Sequence, residues 1–243
     1  MEAFDIIIVA GQSNAEGCGL GLAKRPYAPD ARVRVMRRDG FAVQVAEEMP
    51  RDGVPQGNFW LPFARAYVES GLLARDRGLL LVQAAVGGTG FSDKRWGLRD
   101  DLYLDMLAMT KAALALHPEN ELKALLWHQG ETDAGTDEAA HRANLLGLAR
   151  GAREAFDMPG LPFIAGDFVQ HWKRKDEAAR APVIAAIRGV CGEVGGGFAE
   201  TDGLESNDEA TGNGDDIHFS REALHELGLR YFNIYTNLTQ HKE

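Results

Sequence analysis

The chain is poor in cysteine and in positive charge, and each shortage narrows what it can be. Its 243 residues include two cysteines, Cys18 and Cys191, which form neither a metal-binding spacing nor a disulfide framework. We expect two unpaired thiols rather than a bridge. Lys and Arg number 26 against 36 Asp and Glu, a formal net charge of −10. Nucleic acids and anionic membranes bind basic surfaces, so neither is an expected partner.

Long apolar runs are also missing. No segment is long enough to span a bilayer, and the first strand is predicted to begin within a few residues of Met1, leaving no room for a signal peptide. These features predict a cytoplasmic protein, unless an export signal has been trimmed. The apolar fraction of 45% is that of a globular protein with a core. No linker, composition break or repeat divides the chain, which predicts a single domain over residues 1–243.

Short apolar runs alternate with segments of helical periodicity. Strands are predicted at 4–9, 78–86, 122–127, 161–165 and 197–201, and helices at 60–73, 101–116, 137–156, 176–190 and 220–238. This alternation predicts an α/β fold, a doubly wound and mostly parallel sheet with helices on both faces. Residues 31–36 and 41–46 flank a turn with Asp39-Gly40, which predicts a small antiparallel hairpin inserted after the first strand.

Capping residues, a proline and a glycine-rich stretch refine where the predicted helices begin and end. Thr136 and Ser220 are the predicted N-caps of the third and last helices. Pro182 is expected to interrupt the helix at 176–190, because proline cannot donate a backbone hydrogen bond. The polar, glycine-rich stretch 207–216 is expected to be a surface loop.

Three of the predicted strands end in polar, glycine-containing turns. These turns are Gly11-Gln12-Ser13-Asn14, Gly87-Gly88-Thr89 and His128-Gln129-Gly130-Glu131, and a fourth polar segment, Asp215-Asp216-Ile217-His218, precedes the last helix. Parallel strands all end at one edge of their sheet, so we expect these segments to converge there.

Together the four segments supply the groups that acyl transfer needs. Ser13 is the candidate nucleophile, His218 the base that takes its proton, and Asp215 the acid that orients the imidazole. Candidate oxyanion donors are the backbone N–H groups of Ser13 and Gly88 and the side-chain amide of Gln129. Each residue alone has an ordinary interpretation, as a capping histidine, a solvated acid, a tight turn or a buried amide. The combination favours catalysis.

These segments resemble the motifs of the SGNH (GDSL-type) hydrolase superfamily, in the branch of sialate O-acetylesterases and acetylxylan esterases. The matching residues are 11–17 (GQSNAEG), 87–89 (GGT), 127–134 (WHQGETDA) and 215–220 (DDIHFS). The resemblance implies a flavodoxin-like three-layer α/β/α sandwich and no metal or organic cofactor. It also implies that the protein removes O-acetyl groups from sugars through a serine acyl-enzyme, with an oligosaccharide or small-molecule acetyl ester as its partner.

Residue by residue, the resemblance implies the same triad of Ser13, His218 and Asp215 and the same three oxyanion donors. Gln12, Asn14 and Glu131 are the supporting residues. This branch has Gln129 and Glu131 where other members carry an asparagine donor, so Glu131 is a second candidate for the acid that orients His218. Ala15 stands where methionine is common, which is expected to widen the space beside the nucleophile.

Two other functions remain open. The fold also suits a non-catalytic carbohydrate-binding protein, or a lipase or thioesterase that acts on another acyl group. An α/β-hydrolase is excluded, because its G-x-S-x-G motif follows a later strand and its acid and histidine are well separated.

The substrate is less defined than the reaction. The acidic net charge disfavours an anionic substrate, although a local basic patch around Arg95 and Arg99 would oppose that effect. Four aromatic residues near the predicted site are candidates for stacking on sugar rings, namely Trp60, Phe91, Trp96 and Trp172.

Overall fold

The buried strand patterns assemble into one central sheet. The computed structural model describes residues 2–51 and 53–240. Its strands are β1 (Ala3–Gly11), β2 (Val33–Arg37), β3 (Val43–Val45), β4 (Pro50–Arg51), β5 (Val54–Pro55), β6 (Arg77–Gln83), β7 (Glu121–His128), β8 (Phe163–Gly166) and β9 (Gly197–Ala199). The main sheet has the order β3-β2-β6-β1-β7-β8-β9, and β4 and β5 form a separate two-stranded sheet. Among the described residues of the main sheet, only β2 and β3 pair antiparallel.

Strand β1 is the centre of this sheet because all nine of its residues are buried. It pairs in parallel with β6 on one side and β7 on the other. The chain adds β2 and β6 on the first side before it adds β7, β8 and β9 on the second. Strand order therefore reverses at β1, and in open α/β sheets the ligand crevice forms at the carboxyl ends of the strands at this point.

Helices cover both faces of the sheet. They are α1 (Ser13–Glu16), α2 (Trp60–Glu69), α3 (Asp101–Ala115), α4 (Glu138–Ala155), α5 (Gln170–Lys175), α6 (Glu177–Glu193), α7 (Asn207–Thr211) and α8 (Arg221–Gln240). Helix α2 packs against α8, and α4 packs against α3 and α6. The predicted three-layer α/β/α fold with a mostly parallel sheet is confirmed. No described helix combines the length and the apolar character needed to cross a membrane.

The predicted hairpin forms, but it is not a separate insertion. Strands β2 and β3 pair antiparallel around the Asp39-Gly40 turn, as expected. Strand β2 also pairs in parallel with β6, with Val33 opposite Leu79 and Arg37 opposite Gln83. The hairpin therefore extends the main sheet. Local sequence pattern predicts that β2 is a strand and that it pairs with β3. Its pairing with β6 on the other side depends on tertiary packing, which the local pattern does not reveal.

Three local predictions were wrong. Helix α4 is capped by Asp137, whose carboxylate accepts the Ala140 N–H at 3.0 Å, rather than by Thr136. Pro182 lies inside α6 and does not interrupt it. Residues 207–211 form α7, in the stretch expected to be a surface loop, and Asn207 is buried. The Ser220 cap is confirmed, since its Oγ accepts the Ala223 N–H at 3.2 Å.

Candidate active site

The turn after β1 holds Ser13 at the carboxyl edge of the sheet. Gly11 has φ +125°, and a Cβ at this position would lie 2.1 Å from the His128 carbonyl oxygen, so only glycine fits between β1 and β7. The next amide, Gln12 N–H, donates to the same His128 oxygen at 3.0 Å. The single turn of α1 begins at Ser13 immediately afterwards. The nucleophile candidate is thus placed at the end of the central strand.

The structure brings Ser13, His218 and Asp215 together in hydrogen-bonding order. His218 Nε2 lies 2.8 Å from Ser13 Oγ. His218 Nδ1 lies 2.9 Å from each carboxylate oxygen of Asp215. Because a carboxylate only accepts, Nδ1 carries the proton and Nε2 is free to accept the Ser13 hydroxyl proton. This is the geometry of a nucleophile, a general base and an orienting acid.

Asn207 holds Asp215 in place. Its Nδ2 donates to Asp215 Oδ2 at 2.9 Å and to the Cys18 carbonyl at 3.0 Å, and its Oδ1 accepts the Leu20 N–H at 2.7 Å. Burial raises the pKa of Asp215, but the hydrogen bonds from Asn207 and His218 outweigh it and leave that pKa below its ordinary value. The carboxylate therefore stays ionised beside His218.

The sequence interpretation missed Asn207, although a local signal was present. Ser206 and Glu209 form a capping box, in which each side chain accepts a hydrogen bond from the backbone N–H of the other residue. The Ser-x-x-Glu spacing is typical of a helix start. It marks α7 inside the stretch expected to be a surface loop.

Asn14 connects the nucleophile turn to the segment that carries His218. Its Nδ2 donates to the Ile217 carbonyl at 3.2 Å, and its Oδ1 accepts the Phe219 N–H at 3.1 Å. The residues on both sides of His218 are therefore tied to the residue after Ser13. The same Nδ2 donates to Glu131 Oε1 at 2.7 Å.

Glu131 therefore sits behind the triad. Among the hydrogen bonds of the described residues, Glu131 makes none to His218, whereas Asp215 binds its Nδ1. Of the two acids left open by the sequence, the one in contact with the imidazole is Asp215.

Glu131 and His128 form a buried pair. Burial raises the pKa of Glu131 and lowers that of His128 to about 3. The Tyr231 hydroxyl donates to the Trp127 carbonyl at 2.8 Å, so it accepts from His128 Nδ1 at 3.0 Å. His128 Nε2 is then unprotonated and lies 3.9 Å from Glu131 Oε1.

The loop after β6 approaches Ser13 closely. A Cβ on Gly87 would lie 3.5 Å from the Ser13 Cβ and 2.9 Å from Glu16 Oε2, which accepts the Gly87 N–H. Gly88 follows with φ +69°, a conformation that favours glycine. Within the described residues, neither the Ser13 nor the Gly88 backbone N–H donates to a protein acceptor. Both are available to an oxyanion.

Gln129 is held by two neighbouring side chains. Its Nε2 donates to Asp133 Oδ2 at 2.8 Å and makes a longer contact of 3.5 Å with Gln12 Oε1. Gln12 Oε1 also accepts the Thr132 N–H at 3.2 Å. One amide hydrogen of Gln129 is thus firmly bound, and the other makes only the long contact.

Asp133 joins this side of the site to the loop that carries Gly88. Its Oδ2 accepts the Phe91 N–H at 3.0 Å and its Oδ1 accepts the Ser92 N–H at 2.8 Å. Burial raises its pKa, but these bonds together with that from Gln129 bring it below its ordinary value. The sequence places Asp133 in the third motif but does not indicate this role.

The predicted sugar-stacking residues do not present their rings to solvent. Trp60 and Trp96 are fully buried, and Phe91 and Trp172 are nearly so. Trp96 packs edge-on against Trp127 and donates to Thr89 Oγ1 at 2.9 Å. The basic patch expected around Arg95 is also reduced, because Arg95 pairs with Asp101 at 2.8 Å.

Neither a metal cluster nor a disulfide is found in the described part of the chain. No group of three or more possible metal ligands occurs there. Cys18 and Cys191 are both free and buried, and burial raises the pKa of each thiol.

Comparison with known proteins identifies the family. Residues 3–237 match the model of the carbohydrate esterase, sialic acid-specific acetylesterase family. The chain belongs to this family and is a carboxylic ester hydrolase, which confirms the resemblance seen in the four motifs.

Two curated relatives match over much of their length. A probable 9-O-acetyl-N-acetylneuraminic acid deacetylase of Escherichia coli strain K12 is 25% identical over 221 residues, which cover 69% of this chain and 68% of the relative. A probable carbohydrate esterase of Arabidopsis thaliana is 26% identical over 253 residues, which cover 95% of this chain and 89% of the relative. Among solved structures, the crystal structure of NanS has the same fold, with a TM-score of 0.82, 20% identity and coverage of 99% of this chain and 98% of that chain.

Proposed function

We propose that this chain is a serine esterase that removes O-acetyl groups from a carbohydrate through an acyl-enzyme on Ser13. The observation that carries the proposal is the 2.8 Å hydrogen bond between Ser13 Oγ and His218 Nε2, with Asp215 on the other ring nitrogen. Membership of a carbohydrate acetylesterase family supports an acetylated sugar as the substrate.

In the first step, Ser13 Oγ bonds to the acetyl carbonyl carbon while its proton passes to His218 Nε2. The carbonyl electron pair moves onto oxygen, which the Ser13 and Gly88 N–H groups and the less tightly held hydrogen of Gln129 stabilise. The bond between the carbonyl carbon and the sugar oxygen then breaks. His218 returns its proton to that oxygen, which releases the sugar and leaves acetyl-Ser13.

Deacylation repeats these steps with water as the nucleophile. His218 Nε2 removes a proton from water as its oxygen bonds to the acetyl carbon, and the proton then returns to Ser13 Oγ as acetate departs. The side chains of His218 and Asp215 are 25% and 27% exposed, so water reaches the base directly from solvent.

The test is acetate release by wild-type protein and Ser13→Ala from p-nitrophenyl acetate and a panel of acetylated sugars. We expect release by the wild type, none above background by Ser13→Ala, and an unchanged melting temperature. Ser70→Ala is the matched control, since it removes an exposed hydroxyl at the end of α2. Full activity in Ser13→Ala would overturn the proposal.

The same experiment separates the two other functions. Reaction of Ser13 with a fluorophosphonate, without acetate release, would point to a lipase or thioesterase with another acyl group. Neither labelling nor release would point to a non-catalytic carbohydrate-binding protein.

A further inference from the structure

A cavity of about 240 Å³ opens beside the nucleophile turn. Glu16, which lines it, belongs to the same single helical turn as Ser13. Gly87 bridges the two, because its N–H donates to Glu16 Oε2 and a Cβ there would lie 3.5 Å from the Ser13 Cβ. The cavity is therefore adjacent to the place where the ester must bind.

Arg37 forms another wall of this cavity and comes from a different strand. It is the last residue of β2 and lies opposite Gln83 of β6, which in turn lies opposite Val9 of β1. The guanidinium is thus held at the carboxyl edge of the sheet, level with the strand that presents Ser13. A position fixed by two parallel pairings suits a side chain that orients a ligand.

The guanidinium of Arg37 lacks a partner within the part of the chain that the structure describes. Its Nε and Nη2 are enclosed and have no hydrogen-bond acceptor, and no described carboxylate lies within ion-pair distance. Burial lowers the pKa of Arg37 and outweighs the opposite effect of the carboxylates of Asp39, Glu16 and Glu47, none of which is within ion-pair distance among the described residues. Arg38, the next residue, does have partners, because its guanidinium donates to Asp105 at 3.0 Å and to the Ala84 carbonyl at 3.1 Å. An enclosed charge without a partner is unfavourable, and a bound anion would relieve it.

The charges around the cavity favour one anion. Two guanidinium groups line it, from Arg37 and Arg51, against one carboxylate, Glu16, which already accepts the Gly87 N–H. Among the side chains that line the cavity the balance is positive, in a chain of net charge −10. A guanidinium binds a carboxylate through two parallel hydrogen bonds, which fixes orientation as well as charge. The volume is below the roughly 300–1,000 Å³ of pockets for drug-sized ligands, which suits a single sugar ring.

We propose that this cavity holds the sugar part of the ester and that Arg37 binds a carboxylate on that sugar. Arg37 is then the residue that selects acetyl esters of sugar acids over those of neutral sugars. This inference rests on the proposed esterase function, and it assigns the charge recognition to Arg37 rather than to Arg95, which is paired with Asp101.

The test compares two acetyl esters that differ only at the carboxyl group, which is ionised in tri-O-acetylated methyl glucuronide and methylated in its carboxyl methyl ester. We expect wild-type protein to prefer the acid by kcat/KM. Arg37→Gln should lower the acid-to-methyl-ester ratio by about ten- to a hundredfold, as expected for a lost hydrogen-bonded charge. Arg38→Gln, the matched control at the next position in the turn after β2, should keep the wild-type ratio. An unchanged ratio in Arg37→Gln, or a wild type without preference, overturns the proposal.

A second measurement uses only wild-type protein, so it does not depend on whether a variant folds. Methyl glucuronide should inhibit p-nitrophenyl acetate hydrolysis by the wild type at a lower concentration than methyl glucoside does, and equal inhibition contradicts the subsite.

The two proposals fail in different ways. If the wild type releases acetate from no ester, the esterase function fails, and calorimetry then tests the subsite alone. Binding of methyl glucuronide to the wild type that is lost in Arg37→Gln supports the subsite, and no binding to the wild type refutes it.

Discussion

Two carboxyl groups lie near the same imidazole, and their surroundings give them different tasks. Asp215 touches His218 Nδ1 with both oxygens and is partly exposed. Glu131 is fully enclosed and accepts a hydrogen bond from Asn14. Hydrogen bonds to the charged form keep the first group ionised, and burial favours the neutral form of the second. Residue type alone does not distinguish them, which is why the sequence left both open.

Replacement of each acid by its amide separates these tasks. Asp215→Asn should lower kcat by about a thousandfold or more, because an amide no longer holds the imidazole in the required tautomer. Glu131→Gln should change kcat by less than about tenfold, since Gln keeps an oxygen that accepts from Asn14. The measurement is kcat on p-nitrophenyl acetate. The opposite ranking would move the orienting role to Glu131.

Gln129 is predicted to act on the transition state rather than on binding. Gln129→Ala removes the candidate donor and should lower kcat by about a hundredfold with little change in KM. Steady-state kinetics give both constants, and a thermal melt checks the fold. A near-normal kcat would leave only the backbone N–H groups of Ser13 and Gly88 as oxyanion donors.

At the scale of elements, the sequence predicted what local pattern determines. The apolar runs of β1, β6 and β7 and the polar turns after them were found, because burial on both faces requires continuous apolar residues. Membership of β2 in the main sheet was not predicted, since its pairing with β6 is a contact between distant residues. The role of Asn207 was missed for the same reason, because its partners Cys18 and Leu20 lie near the other end of the chain.

Two loops meet at Asp133, and this contact is testable. Asp133 accepts from the Phe91 and Ser92 amides of the loop after β6 and from Gln129 of the loop after β7. Asp133→Asn leaves three donors facing one oxygen and an NH₂ group. We expect a loss of about 1.5–3 kcal/mol in the free energy of unfolding and a tenfold or greater drop in kcat.

Asp137→Asn is the matched control for this prediction. Asparagine is as good an N-cap as aspartate, so this exposed cap of α4 should tolerate the change. Chemical denaturation and kcat measure both variants, and equal effects in the two would refute a special role for Asp133.

At the scale of the whole molecule, the central sheet brings the residues of the site together. Ser13 and His218 are separated by 205 positions, yet they lie 2.8 Å apart. The reversal of strand order at β1 opens the crevice there, and Asn14 fastens the distant segment to it. The large aromatic side chains belong to the core rather than to the rim, since a sheet covered on both faces needs bulky residues inside. Their place in the sequence next to site motifs therefore does not by itself indicate a role in sugar binding, and of the four it is Trp60 that lines the cavity beside the nucleophile turn.

Burial of Glu131 behind this crevice has a measurable effect on global stability. Its pKa is raised in the folded protein, so the unfolded chain loses the proton first as pH rises above the ordinary value of 4.5. Stability contributed by the protonated group is complete below that pH and then declines by about 1.4 kcal/mol per pH unit until Glu131 ionises in the folded state. Glu131→Gln has no such proton to lose. Urea denaturation of both proteins from pH 4 to pH 8 should therefore give equal free energies at the acid end and a growing advantage for Glu131→Gln as pH rises. A difference that is independent of pH would show that Glu131 ionises in the folded protein as it does in the unfolded chain.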